Sequence, residues 1–159
     1  MEFRKELRAH RGRLLSGPGP GSAVHAGSFP RRRLIILDSS LKSNEPELRR
    51  ILLHEVLHFV WLRLGNGRRA EYGALLGLEL ARRARGEMGW SAEWRKDALE
   101  PDDRQSRRWR EYVCESFCDT GAAFAGGFVD HPEVTLARTF RDRREQWFGI
   151  ILGASRILV

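Results

Sequence analysis

The order of apolar and polar positions predicts five helices along this chain. Their predicted bounds are about 44–64, 69–85, 91–99, 103–125 and 130–148. The first and the last begin with the same start signal, a capping Asn44 or Asp130 followed two residues later by proline and then by glutamate. Glycines at positions 65, 86 and 126 mark three of the predicted helix ends.

The first forty residues have a different pattern. Residues 1–15 predict a short basic helix, and the Gly/Pro-rich run 16–22 predicts a flexible linker or loop. Residues 32–38 are rich in leucine and isoleucine between Pro30 and a serine pair, which predicts a strand. The pattern therefore predicts a mostly helical α+β fold, with residues 1–22 as a basic N-terminal segment and linker.

Composition agrees with a single domain that spans residues 1–159. The chain is 42% hydrophobic and 31% charged, enough to form a core and too apolar for global disorder. The apolar run 147–159 is shorter than the roughly 20 residues that cross a bilayer, and the first residues lack the apolar run of a secretory signal. We therefore expect a cytoplasmic protein with no membrane contact, whose five tryptophans line the core or a pocket.

Positive charge is concentrated near the beginning of the sequence. The formal net charge is +7, and residues 1–50 hold eleven Lys or Arg against five acids, which gives +6 for that part. Clustered arginine attracts phosphate and acidic surfaces. The charge distribution therefore makes nucleic acid an alternative partner to a peptide or protein.

One motif inside the first predicted helix indicates metal chemistry. It is His54-Glu55-Val56-Leu57-His58, in the pattern H-E-x-x-H. Four residues make about one helical turn, so both imidazoles project from one side and can bind one Zn²⁺. Glu55 lies about 100° around the helix and can reach a water bound to that metal. The motif predicts His54 and His58 as zinc ligands and Glu55 as general base.

The same residues also have a structural interpretation. Apolar residues flank the motif on both sides, and neutral histidines buried there can be satisfied by ordinary hydrogen bonds. Glu55 would then pair with Arg50 or Arg63. The sequence alone leaves both interpretations open.

A catalytic zinc needs a third protein ligand and an open position. Helix 103–125 presents Glu111, Glu115 and Asp119 at four-residue spacing, which places them on one face. We expect Glu115 to be the ligand, because Asp119 and Glu111 in the same column would support it. Glu71 remains a competing third ligand, and a column of surface acids paired with arginines remains a structural alternative.

Two cysteines on the same helix offer a different metal site. Cys114 and Cys118 with His54 and His58 would make a closed tetrahedral site, a structural zinc with no open position. Four-residue spacing on a helix suits a disulfide poorly, so a reducing compartment is expected. Small buried hydrophobic side chains are the other role for both thiols.

The motif and the later helix together resemble a known group. H-E-V-L-H followed by Glu115 and Asp119 in the pattern E-x-x-x-D resembles the gluzincin zinc metallopeptidases, which include thermolysin. The small size and the strand before the motif are also similar to compact bacterial proteins of the ImmA/IrrE and SprT-like kinds. The resemblance implies a zincin-like domain with a small sheet packed on the active-site helix. It also implies His54, His58 and Glu115 as zinc ligands, Glu55 as base, and Asp119 as an acceptor for a ligand imidazole.

We therefore expect a zinc-dependent metallopeptidase acting on a peptide or protein substrate. In zincin-like folds the strand before the active-site helix borders the substrate groove, so the resemblance implies an extended peptide paired with residues 32–38. The run Arg31-Arg32-Arg33 would favour acidic peptides. The alternative is a non-catalytic, zinc-stabilised module that binds protein or nucleic acid through the basic first third.

Overall fold

Five α-helices and two small sheets make up the described part of the chain. The computed structural model describes residues 1–154, except for the side chains of residue 105 and of residues 152–154. The helices are α1 (Glu45–Arg63), α2 (Asn66–Ala81), α3 (Trp90–Asp97), α4 (Arg107–Gly126) and α5 (Arg138–Ala154). The mostly helical α+β fold class is therefore confirmed.

The strands form two three-stranded sheets near the N-terminus. They are β1 (Glu2–Arg4), β2 (Leu7–His10), β3 (Arg13–Ser16), β4 (Ser22–Ala23), β5 (Ala26–Phe29) and β6 (Leu34–Asp38). The first sheet has the order β1-β6-β5, with β1 parallel and β5 antiparallel to β6. The second has the antiparallel order β3-β2-β4. The first sheet packs on α1 through β5 and β6.

The predicted helix over residues 1–15 is wrong, since this part forms β1, β2 and β3. Arg11 and Gly12 both have positive φ, 48° and 73°, and form a two-residue hairpin turn between β2 and β3. Leu7 is buried in β2, and its amide donates to Asp38 of β6 over 2.8 Å. The run predicted as a linker joins β3 to β4, which both belong to the second sheet.

Of the two predicted helix starts, the one at Asn44 is confirmed and the one at Asp130 is wrong. Asn44 caps α1 as predicted, because its side chain accepts from the Glu47 amide over 3.3 Å. The similar signal at Asp130 does not begin a helix, and α5 starts only at Arg138. The intervening segment instead bonds across the fold, where the amides of Thr135 and Leu136 donate to the Glu87 carbonyl. Tertiary hydrogen bonds there outweigh the local cap.

Helix α4 is the centre of the helical layer. It packs against α1 and α3, and more narrowly against α2 and α5. Its apolar face belongs to a core of aromatic side chains, in which Phe117 stacks on Phe148 with ring centroids 4.9 Å apart. No described helix is long and apolar enough to cross a membrane.

A fully buried polar network lies on another face of α4. The Arg144 guanidinium, from α5, pairs with Glu79 and with Glu87, each at 2.6 Å. It also donates to the hydroxyls of Ser116 and Thr120 on α4, over 3.0 and 3.3 Å. Two acids share one arginine here, and buried charges of this kind are tolerated only when they are paired and hydrogen-bonded. The network therefore ties α4 to α2 and α5.

Candidate metal centre

The H-E-x-x-H motif lies in the middle of α1, on the side that packs against α4. His54 and Glu55 are each only 8% exposed. One helical turn separates the two histidines, and their ring centroids lie 5.0 Å apart. The helix geometry inferred from the sequence is therefore present.

Asp119 on α4 orients His54. The Asp119 Oδ1 atom lies 2.7 Å from His54 Nδ1, a geometry suited to an Nδ1–H donor, which leaves Nε2 as a metal-binding lone pair. The Asp119 Oδ2 atom accepts from the Ala92 amide over 2.8 Å, at the N-terminal end of α3. Helix N-termini favour negative charge, so this position suits a carboxylate. The expected role of Asp119 next to a ligand imidazole matches this arrangement.

Glu115 lies between the two histidines. Its Oε2 atom is 3.2 Å from His54 Nε2 and 3.9 Å from His58 Nε2, while its Oε1 atom is 3.2 Å from Arg95 Nη2. Burial raises the pKa of Glu115, but the histidines and Arg95 lower it more, so the carboxyl titrates below its ordinary value. An ionised carboxylate oxygen thus faces both Nε2 atoms. We call His54, His58 and Glu115 the glutamate set.

Burial and charge act in opposite directions on His54. Burial by itself lowers the pKa of this imidazole. The hydrogen bond and the charge of Asp119, followed by those of Glu115, outweigh burial and hold the pKa well above its ordinary value. A metal ion would have to compete with a proton at this ring.

The cysteines approach His58 from its other ring nitrogen. Cys114 Sγ and Cys118 Sγ lie 3.6 and 3.5 Å from His58 Nδ1. A hydrogen bond from Cys118 lowers the pKa of the Cys114 thiol to about 6, whereas burial raises that of Cys118 well above its ordinary value. Both thiols are free.

Cys118 and the two histidines form a group that could hold a metal ion. Single ligand atoms of His54, His58 and Cys118 all lie within 4.8 Å of one another, and we call this group the cysteine set. The glutamate set lies against Nε2 of His58, whereas the thiols lie against Nδ1. In the glutamate set, the Nε2 atoms of His54 and His58 both face the same oxygen, Glu115 Oε2.

Glu55 follows His54 directly on α1 and is buried. Among the described side chains, none forms a hydrogen bond or ion pair with its carboxylate. Arg50, one of the two partners considered for it, binds Glu47 and Glu133 instead, at 2.6 and 2.9 Å. The structural alternative in which Glu55 pairs with Arg50 is therefore wrong.

A groove of about 1420 Å³ opens onto the centre. Residues of α1, α3, α4 and β5 line it, including His54, Glu55, His58 and Glu115. The predicted border at residues 32–38 is wrong, because β6 is the middle strand of its sheet and is paired on both sides. The strand of this sheet that lines the groove is β5, which lies at one edge of the sheet, and residues of β2 and β4 line the groove as well.

The other candidate acids lie apart from the histidines. Glu111 lines the groove but pairs with Arg107 over 2.7 Å, and no described contact joins it to His54 or His58. Glu71 is exposed, pairs with Arg68 over 2.8 Å, and is not among the groove residues. Of the acids considered, Glu115 and Asp119 are the two that contact the motif.

Two residues near α3 support the site although no pattern in the sequence indicates them. Arg95 holds the second oxygen of Glu115, and Gly89 leaves the space that the Asp119 carboxylate occupies. Both depend on α3 packing across α4, which a local pattern does not encode. Comparison of the chain with protein-family models, with curated proteins and with solved structures gave no match.

Proposed function

We propose that this protein is a zinc-dependent metallopeptidase. The observation that carries the proposal is the glutamate set: Glu115 Oε2 faces the Nε2 atoms of His54 and His58, 3.2 and 3.9 Å away. Glu55 lies next to this set, buried and unpaired among the described residues, and lines a groove of about 1420 Å³. Two histidines and one carboxylate are a common ligand set of catalytic zinc, which retains an open position.

Zinc also fits the chemistry of these donors. Imidazole and carboxylate suit Zn²⁺, and the hydrogen bond from His54 to Asp119 is the usual support for a zinc-bound histidine. When bound, Zn²⁺ supplies Lewis acidity, which activates water and polarises a substrate carbonyl.

The residues of the chain then have separate tasks. Glu55 accepts the proton of the attacking water and passes it to the leaving amine, the ordinary task of a general base next to a peptide bond. Asp119 fixes the orientation of His54, and Arg95 binds the Glu115 oxygen that faces away from the histidines. Loss of Glu55 should therefore abolish turnover while the ligands stay in place.

The edge strand β5 supports an extended substrate. Its outer edge has no strand partner among the described residues, and Ala26, Gly27 and Ser28 line the groove. An extended peptide can add to such an edge through main-chain hydrogen bonds. Substrate would then lie across the groove in front of Glu55.

The cysteine set favours a second candidate function. If Cys114 joins the cysteine set as a fourth ligand, the metal would be coordinatively closed, and Glu55 would have no catalytic role. The protein would then be a zinc-stabilised interaction module. The contacts of about 3.5 Å between the thiols and His58 are the observation behind this candidate.

Metal analysis with matched variants separates the two functions. Under the peptidase proposal, the purified chain binds about one Zn²⁺, His54→Ala and Glu115→Ala lose it, and Glu55→Gln retains it. The double variant Cys114→Ser, Cys118→Ser keeps both metal and peptide cleavage. Loss of zinc in the cysteine variant with retention in Glu115→Ala would refute the peptidase proposal in favour of the closed site. Glu71→Ala is the matched control, because this acid lies outside the groove.

A peptide-library assay then tests catalysis. The zinc-loaded protein should cleave peptides, and Glu55→Gln should not. Cleavage that persists in Glu55→Gln would contradict the role of Glu55 as base.

A further inference from the structure

Exposed large apolar side chains concentrate at the groove. Within the described part of the chain they are Met1, Leu62, Leu78, Trp90, Trp94 and Ile150. Leu62, Trp90 and Trp94 all line the groove that contains His54 and Glu55. Single exposed apolar residues are ordinary, but several around one concave site indicate a binding surface.

The two tryptophans form one wall of the groove. Trp90 is 63% exposed and Trp94 45% exposed, and their ring centroids lie 6.2 Å apart on α3. The Arg95 guanidinium lies 4.2 Å from the Trp94 ring and also pairs with Glu115. The aromatic wall is thereby held next to the candidate metal ligand. We call Trp90 and Trp94 the tryptophan wall.

Three arginines that line the groove are already paired with carboxylates. The pairs are Arg50 with Glu47 and Glu133, Arg95 with Glu115, and Arg107 with Glu111, at N–O distances of 2.6 to 3.2 Å. A phosphate backbone or an acidic peptide would have to compete with these carboxylates. The basic run at residues 31–33 is not among the groove residues, so it gives this site no positive charge. The groove is therefore suited to an uncharged partner.

Shape and polarity identify the same partner. The free edge of β5 suits a chain in extended conformation, whose side chains alternate between two directions. The tryptophan wall offers aromatic surface to one of those side chains. Because this aromatic surface is exposed in the free protein, a large apolar side chain that covers it removes the most apolar area from water and so contributes most to the free energy of binding.

This inference rests on the proposed function, since it names the substrate class for that site. We propose that the tryptophan wall is the subsite for a large, uncharged side chain, such as phenylalanine or leucine, of an extended peptide that lies along β5. The substrate class is then apolar peptide segments. Acidic peptides and nucleic acid should bind this groove more weakly, because its paired arginines already hold carboxylates.

Binding to an inactive protein tests this assignment apart from catalysis. The protein is zinc-loaded Glu55→Gln, and the probe is a short, end-blocked, fluorescein-labelled polyalanine peptide with one central phenylalanine. Matched peptides carry aspartate or alanine at the central position, and a labelled oligothymidine represents nucleic acid. We expect the phenylalanine peptide to bind about tenfold or more tightly than the aspartate peptide, by fluorescence polarisation.

Variants then locate the subsite. Trp90→Ala with Trp94→Ala should weaken binding of the phenylalanine peptide by about tenfold and leave the alanine peptide almost unchanged. Leu78→Ala is the matched control, because Leu78 is similarly exposed but lies outside the groove. Both tryptophans are at the surface, so their truncation should leave folding intact. The peptide series with unaltered tryptophans does not depend on any variant.

The outcomes separate this inference from the proposed function. Equal binding of the phenylalanine and aspartate peptides, no peptide binding, or an unchanged affinity in the tryptophan variant would each overturn the assignment of the subsite. Salt-sensitive binding of oligothymidine that the phenylalanine peptide does not displace would also overturn it, in favour of a nucleic-acid surface. If the active protein cleaves peptides without any effect of the tryptophans, only this inference fails. If the tryptophans govern binding but nothing is cleaved, only the peptidase proposal fails.

Discussion

Gly89 should be required for metal affinity although it is not a ligand. Its backbone is fully extended, with φ −179° and ψ 163°, so any residue can adopt this conformation. A Cβ atom added there would lie 2.5 Å from Asp119 Cγ and 2.7 Å from both carboxylate oxygens. Alanine at this position therefore has to displace Asp119 or the start of α3.

Either displacement breaks a hydrogen bond to the Asp119 carboxylate. One joins Oδ1 to His54 and the other joins Oδ2 to the Ala92 amide, at 2.7 and 2.8 Å. Hydrogen bonds to charged groups contribute about 1.5–3 kcal/mol, and disturbed support of a ligand histidine lowers metal affinity about 10–100-fold. We expect Gly89→Ala to weaken zinc binding by this factor and to lower the free energy of unfolding by about 1–3 kcal/mol.

Competition with a chromogenic zinc chelator measures the affinity, and urea unfolding measures the stability. Gly149→Ala is the matched control, because its added Cβ would meet nothing within 4 Å. A folded Gly89→Ala protein with the zinc affinity of the original chain would refute the reasoning. Asp119→Asn should reproduce the loss, since it weakens the same support of His54.

Three further changes test other parts of the site. Arg95→Gln should weaken zinc binding by freeing Glu115, with partial recovery in Arg95→Lys and no effect of Arg107→Gln, by the same chelator competition. Because the pKa of His54 is raised on folding, the stability that it contributes to chelator-treated protein is fully present below about pH 6.5 and is lost as the pH rises through the raised pKa. Zinc affinity should have the opposite dependence and rise over the same range, and urea unfolding and zinc titration at several pH values check both signs. Arg144→Met leaves buried Glu79 without its ion-pair partner and leaves buried Glu87 with Lys96 as its remaining cation, so it should lower the free energy of unfolding by about 3–5 kcal/mol, measured by urea unfolding.

Local signals in the sequence were reliable where they agreed with the packing. The α1 cap at Asn44 and the apolar run of β6 both correspond to observed elements. The helix predicted over residues 1–15 was wrong because the strands there are short and their hairpin turn uses Arg11 rather than the usual Asn or Asp. The cap signal at Asp130 failed because Thr135 and Leu136 find partners at Glu87, far away in the sequence.

The candidate site was predictable only to the extent that it lies on two helices. Spacing alone placed His54 and His58 together, and the column of acids on α4 pointed to Glu115 and Asp119. Arg95 could not be found this way, because its contact with Glu115 depends on how α3 crosses α4. The border of the groove was mispredicted for the same reason, because the order of strands in a sheet depends on pairing between distant segments and cannot be inferred from the sequence of one strand.

The buried network around Arg144 has a consequence for how this protein can diversify. Ser116 and Thr120 each follow directly after a residue of the site, Glu115 and Asp119, so the network holds α4 about 100° around the helix from the site. A turn of the helix by one position would break contacts in both places at once. The arrangement of the candidate metal centre is therefore set by the interior of the fold. Under the proposed function, new substrate preferences can arise from replacements at groove-wall positions such as Trp90, while the ligands and the residues that hold them stay unchanged.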